Sequence, residues 1–321
     1  MSHRHGRAVA LMVLATLLWS TAGVVSRDLD SARGLEVTFW RSAFTALTLA
    51  VALPVLQGAA FWRTLRRGGR ALWLSGACWS VMFTAFMAAM MLTRVADVLV
   101  TMALGPLVTA LFARLFLHHH LPPRTWGAIA LGGLGIAAIA LFGQDSGASS
   151  ISSSTRSLGL LISLAVPLAG ALNFTLLQKV SHRGYPPRVH RSPDDDAGAE
   201  VPTAPDMLPA VLIGGLFSAA ATWAVLTVSG QPLRASLHDL GLLAGLGAFQ
   251  LALPCLLVVR LTRVLPAPEI ALLGLLEVVF GVLWAWLGAG EAPGSATLIG
   301  GALVLTALIG NEVLALRQRQ R

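Results

Sequence analysis

Long apolar stretches alternate with short polar connections along the whole chain. Ten of them reach the roughly 20 residues that a helix needs to cross about 30 Å of hydrocarbon. They run over 8–26, 35–56, 71–92, 96–117, 124–143, 157–179, 207–228, 239–260, 268–288 and 295–316, with soft edges. The expected fold is an all-α polytopic membrane protein. Two connections are long. Residues 144–156 are rich in Ser and Gly. Residues 180–206 carry Pro186, Pro187, Pro193, Pro202 and Pro205 beside Asp194-Asp195-Asp196. Such a segment has no apolar face to bury and is expected to be a disordered linker.

Composition agrees. The chain has 321 residues, of which 55% are hydrophobic and only 12% charged. Soluble domains carry about twice that charge fraction. The net charge of +8 comes almost wholly from Arg in the connections, which marks topology rather than nucleic-acid binding. With both termini in the cytoplasm, sixteen Arg and Lys fall inside, among them Arg63, Arg66, Arg67, Arg70, Lys179, Arg260 and Arg263. Five fall outside: Arg27, Arg33, Arg94, Arg156 and Arg234. The expected location is the inner membrane. Residues 8–26 follow Arg4 and Arg7 as a signal peptide would, but the run is long and lacks a small-residue cleavage site, so a retained first helix is expected. Cys78 and Cys255 both lie within spans, so neither a disulfide nor a metal cluster is expected.

The halves resemble each other. Leu92-Thr93-Arg94-Val95 returns as Leu261-Thr262-Arg263-Val264, each just before a long apolar helix. A Pro-containing turn follows each helix (Pro122, Pro123; Pro293), then a Gly pair (Gly132-Gly133; Gly300-Gly301). An offset of 171 aligns Ala96 with Ala267, Pro106 with Glu277, and His120 with Glu291. An odd number of spans per copy requires the second copy to insert upside down. The expected organisation is a first five-helix repeat over 1–143, the loop 144–156, a second repeat over 157–316 that includes the linker 180–206, and a basic cytoplasmic tail over 317–321. Inverted repeats place substrate sites between the halves near the midplane.

Trp19 and Gly23, Phe39-Trp40-Arg41, Gly105-Pro106-Leu107, Arg263-Val264-Leu265-Pro266-Ala267, Leu276-Glu277, Gly290-Glu291 with Pro293, and Gly300-Gly301 occur in that order. In this the chain resembles the EamA-type ten-helix carriers of the drug/metabolite transporter superfamily, over nearly all of both halves. The resemblance implies export, or less often uptake, of small metabolites such as amino acids or their analogues. The chain departs from the family pattern in three places. Val278, not Pro, follows Glu277; His120 stands where an acidic residue is usual; and the linker is longer.

Glu277 is the leading candidate for chemistry. It falls near the middle of its span, where a carboxylate costs roughly 2.5–3.5 kcal/mol. It must then face the bundle or a wet cavity. Gly274, Gly281 and Trp284 share its face, and the two glycines are expected to admit a close helix. Glu277 is read as a ligand for a substrate amine, as a proton-coupling carboxylate, or as a structural group bonded to a neighbour.

Arg41 lies near the outer end of the second span; it pairs with a substrate carboxylate, snorkels to the interface or binds a backbone carbonyl. Arg114 is expected to snorkel. Pro254 removes the N–H that would pair with the carbonyl of Gln250, so a kink is expected there that binds substrate or simply packs. Pro106 and Pro167 invite the same two readings, and Asn173 adds a candidate polar contact to substrate. Trp19 and Trp79 head apolar stripes that line a cavity or pack as ordinary core. The glycines at 127, 132, 133, 135, 294, 300, 301 and 310 are expected to serve close helix packing.

His118-His119-His120 do not share a helix face and lack acidic or thiol partners, so no metal and no cofactor is expected. Neither a phosphate-binding loop nor a hydrolase motif is present, which argues against an ATP-driven pump and against an enzyme. The expected function is alternating-access transport around a central cavity. The expected partners are a small-molecule metabolite, the lipid bilayer and protons as coupling ion, without nucleic acid, in a monomer or homodimer. A non-transporting scaffold or sensor, or a membrane-embedded enzyme, is the alternative.

Overall fold

Hydroxyl side chains, prolines and glycines interrupt the helices at defined places. The computed structural model describes residues 2–93, 98, 101–118, 121–142, 153–183, 205–289 and 294–320. The first span is α1 (Ser2–Ser20) followed by α2 (Ala22–Val25). At the break, the Ser20 and Thr21 hydroxyls each donate at 2.7 Å to carbonyls three residues back. Back-bonding of this kind bends helices. The second span, α3 (Leu35–Gln57), turns at Gly58 into a short helix α4 (Ala59–Arg67). Gly58 takes φ +56°, a left-handed conformation open to glycine. The third span is α5 (Arg70–Leu92). Then come α6 (Gly105–Leu117), α7 (Pro123–Phe142), α8 (Ser153–Arg183) and α9 (Pro209–Val228).

The eighth span begins as α10 (Leu237–Gly245), widens to a π-helix over Leu246–Ala252, and resumes as α11 (Leu253–Leu261). The kink expected at Pro254 therefore takes the form of a widened turn upstream of the proline, a common way to absorb a lost helical bond. The ninth span is α12 (Ala267–Gly274) and α13 (Leu276–Ala289), and α14 (Ser295–Gln320) completes the chain.

Among the described residues, seven helical stretches are long and apolar enough to cross a membrane: Arg4–Val25, Leu35–Gln57, Arg70–Leu92, Ser157–Ser181, Pro209–Val228, Leu237–Leu261 and Ala267–Trp284. Thr101–Leu117 and Ser295–Asn311 are shorter apolar helices, and α7 fills the position of the fifth expected span. The chain is thus a helical, multi-pass membrane protein. Arg94, the loop 144–152, most of the linker (184–204) and Glu291 lie outside the described residues.

The packing order closes a ring. α5 packs on α8 and α9, α9 on α3, α3 on α10 and the π-helix, α11 on α1, α1 on α12 and α13, α12 on α6, and α6 on α8. α7 and α14 pair with each other beside this ring. Glycines set the closest approaches. A Cβ on Gly135 would stand 2.5 Å from the Gly300 carbonyl oxygen, and one on Gly247 would stand 2.8 Å from the Arg41 carbonyl oxygen. Gly76 and Gly214 are as tight between α5 and α9. By contrast, a Cβ on Gly127, Gly133, Gly294, Gly301 or Gly310 meets nothing within 4 Å, so the expected packing role holds only for part of that set. Gly135→Val is expected to pry α7 from α14 and lower the melting temperature of the purified protein, whereas Gly133→Val, on open space, leaves it unchanged. A thermal-shift assay in detergent checks the pair.

Two carboxylates lock one end of the bundle. Asp239, fully buried, accepts from the backbone N–H groups of Asp30, Ser31 and Ala32 at 2.7–3.1 Å, from the Ser31 hydroxyl at 2.8 Å and from its own N-cap, Ser236, at 3.1 Å. Glu36 answers from the opposite segment, accepting from the N–H groups of Arg234 and Ala235 at 2.7 and 2.8 Å. Each acid satisfies backbone donors of the other's loop.

Candidate functional site

Three helix interruptions meet around Glu277. The first span breaks at Thr21, the eighth widens over Leu246–Ala252, and the ninth breaks at Leu275, two residues before Glu277. At that last break the bonds shorten to the i→i+3 pattern, Leu275 N–H to the Leu272 carbonyl and Val278 N–H to the Leu275 carbonyl. The helix bends there although Val278 occupies the position where a proline is usual. Glu277 then sits in the first turn of α13, where the helix dipole favours a negative charge.

The glycines beside Glu277 do the opposite of what their spacing suggests. A Cβ added to Gly274 or Gly281 meets nothing within 4 Å. They leave space along the Glu277 face instead of admitting a neighbouring helix. Glu277 is half-buried and makes no hydrogen bond with the described residues. Higher on the same face, the Trp284 indole donates to the Ser20 hydroxyl at 3.0 Å, which ties α13 to the break in the first span.

Arg41 faces this group. It is buried, at 5% exposure, and does not snorkel, because α3 is pressed against the π-helix through Gly247. The Thr45 hydroxyl secures that contact, donating to the Gly247 carbonyl at 3.0 Å. The guanidinium Nε has no hydrogen-bond partner. Arg41 and Glu277 lie close enough to interact electrostatically, without a direct ion pair. Cys255, fully buried, lies near both and near the Trp19 side chain. Gln250 donates from Nε2 to the Trp19 carbonyl at 3.0 Å, and its buried Oε1 stays unpartnered. Pro254 sits beside Cys255 at the start of α11. Glu277, Arg41, Gln250, Trp19 and Cys255 thus form one group drawn from the first, second, eighth and ninth spans.

Trp79 and Asn173 belong to a second group. The Ser75 hydroxyl donates to Asn173 Oδ1 at 2.6 Å, joining α5 to α8, and Trp79 packs against Phe83 and Phe174. Trp79 is 1% exposed, a core side chain as it stands, though its Nε1 and Asn173 Nδ2 lack partners. Pro106 lies two residues past a break at Leu104. Arg114 is exposed at the end of α6, as snorkelling requires. His118 ends α6 in a left-handed conformation, and His119 and His120 lie outside the described residues.

Sequence reading gave Cys255, Glu36 and Asp239 no role. Cys255 carries no pattern of its own. Asp239 did leave a signal, since Ser236-x-x-Asp239 is a capping box, and both its bonds form. Two small hollows among the described residues are not lined by Glu277. One is lined by Leu177, Ser181 and Thr262 and their neighbours, the other by Phe116, Leu172, Thr175, Leu176 and Lys179.

Apolar helices of membrane length around buried, incompletely paired polar side chains define a multi-pass membrane protein. The chain matches the model of the EamA-like transporter family over residues 6–141 and 203–311, and it belongs to that family. A solved crystal structure, described only as that of a protein, superposes with a TM-score of 0.72 at 17% identity, covering 98% of this chain and 99% of its own; that likeness is one of fold. No curated protein matches the chain.

Proposed function

We propose that the protein is a secondary transporter, working as an exporter of small metabolites such as amino acids or related compounds. It alternates access by rocking two inverted five-helix repeats, in ten spans, with both termini on the cytoplasmic side of the inner membrane. Three features support the repeat. The 171-residue offset carries Gly76 onto Gly247, and both are close-approach glycines. It carries the break at Leu104 onto the break at Leu275. It also maps the packing of α5 on α9 onto that of the eighth span on α3; with the sixth span taken as the counterpart of the first, the packing of α6 on α8 likewise matches that of the ninth span on α1.

The observation that carries the function is a carboxylate and a guanidinium in one interior group, without a direct ion pair, at interrupted helices. Buried charges left unpaired are costly and are retained for a ligand or a proton. Glu277 receives the amine of a substrate or a proton, Arg41 receives a carboxylate, and Trp19 and Gln250 shape the wall. Transport requires the space along Gly274 and Gly281 to open to each side in turn. Pro254 and Pro106 mark the bending points.

The test is reconstitution in liposomes with an internal pH dye and pooled amino acids and related metabolites. Substrate flux accompanied by proton movement is the expected result. The absence of flux from every pool overturns the reading in favour of a scaffold. Shortening the 184–204 segment to a flexible connection of sufficient reach is expected to leave flux intact, since Glu277, Arg41, Gln250 and Trp19 all lie in the spans; loss of flux there would mean that the linker takes part.

A further inference from the structure

The helix α4 between the second and third spans has a face that the transport site leaves unused. Its sequence, Ala59 to Arg67, is strongly amphipathic. Phe61 is buried at 2% exposure and Leu65 packs beside it on the main core, so these two side chains pin one face to the bundle. Arg63, Arg66 and Arg67 project from the opposite face at i, i+3 and i+4, all exposed, and Arg70 stands exposed just beyond Gly68-Gly69. None of the four makes an ion pair or side-chain hydrogen bond with a described residue. No acidic residue occurs between Gln57 and Arg94. Trp62, 53% exposed, sits on the flank between the apolar and basic faces.

Position decides what such a helix meets. Only Gly58 separates it from α3, and α5 starts at Arg70, so it lies where two membrane-crossing helices leave the bilayer. An indole at the border of the faces suits the headgroup level, and clustered arginines there attract anionic lipid.

We infer that α4 is an interfacial helix that binds the headgroups of anionic phospholipids through Arg63, Arg66 and Arg67, with Trp62 inserted beside them. The occupant is a lipid because the site faces the headgroup layer and pairs three cations with an aromatic side chain at that depth. A soluble polyanion would need neither. Each arginine is expected to favour an anionic over a zwitterionic headgroup by about fivefold at low salt. The inference does not depend on the transport reading.

The test uses the full-length protein in nanodiscs made from equal parts phosphatidylglycerol and phosphatidylcholine. After gentle detergent extraction, the lipids that stay with the protein are quantified by mass spectrometry. The wild type should retain phosphatidylglycerol in excess. The triple variant Arg63→Gln, Arg66→Gln, Arg67→Gln should bring the ratio near that of the bulk, and the corresponding triple Arg→Lys variant should keep the excess. Raising the salt to about 0.5 M should reduce the wild-type excess through screening. An excess unchanged in the Gln variant overturns the inference. So does an excess lost equally in the Lys variant, which would point to packing rather than charge. Elution of both variants as the wild-type species in gel filtration shows that they fold.

Discussion

Glu277→Gln is expected to abolish proton-linked flux and to lower substrate flux by about tenfold or more, while the protein still folds. The substitution keeps the size of the side chain and removes only the charge and the titration. No hydrogen bond with a described residue depends on the carboxylate, so little native structure is lost with it. What disappears is a charge-assisted contact to a substrate amine, worth about 1.5–3 kcal/mol, or roughly ten- to a hundredfold in binding. Arg41 would then stand without its counter-charge. A zwitterionic substrate should therefore lose affinity more than a purely anionic one. Liposome flux with a pH dye, run beside a thermal-shift measurement, checks all of this. Flux unaffected by the change would make Glu277 a structural group and the protein a uniporter. Loss of folding together with flux would make it a core carboxylate.

Asp239→Ala should be the most destabilising single change, lowering the melting temperature by about 5–10 °C or more. Asp239 holds the N–H groups of Asp30, Ser31 and Ala32 and caps α10 through Ser236. With alanine those donors lose their acceptor, and Ala32 at least is buried where water cannot replace it. Asp239→Asn keeps one acceptor oxygen but sets an N–H₂ group against the remaining donors, so it should fall between wild type and alanine. Glu36→Gln, which disturbs only the Arg234 and Ala235 side of the lock, should cost less. Thermal unfolding of the three purified variants in one detergent ranks them. An unchanged Asp239→Ala protein would mean that water reaches the 30–32 turn.

The two predictions differ in how far the sequence foretold them. Glu277 was visible because an acid in the middle of an apolar span is costly there. Its partners were not. Arg41 lies so near the outer end of α3 that span position alone suits snorkelling. Burial came from Gly247, more than 200 positions away, drawing the π-helix onto α3. Trp79 and Asn173, read as lining a cavity or packing in the core, lie in a second group apart from Glu277, because α5 packs on α8 and α9. The bend at Leu275 had no proline to announce it.

Local chemistry along the chain was enough for the class: apolar runs of about 20 residues admit few structures besides membrane-crossing helices, since lipid offers backbone groups no other partners. It also marked the positions of most helices, the kink near Pro254 and the central acid. Only the tertiary structure decided which polar side chains meet, which glycines touch another helix and which leave space, and that Asp239 and Glu36 lock two distant loops together. Those outcomes depend on contacts between segments separated by most of the chain, and no periodicity within one helix records the face that another will cover.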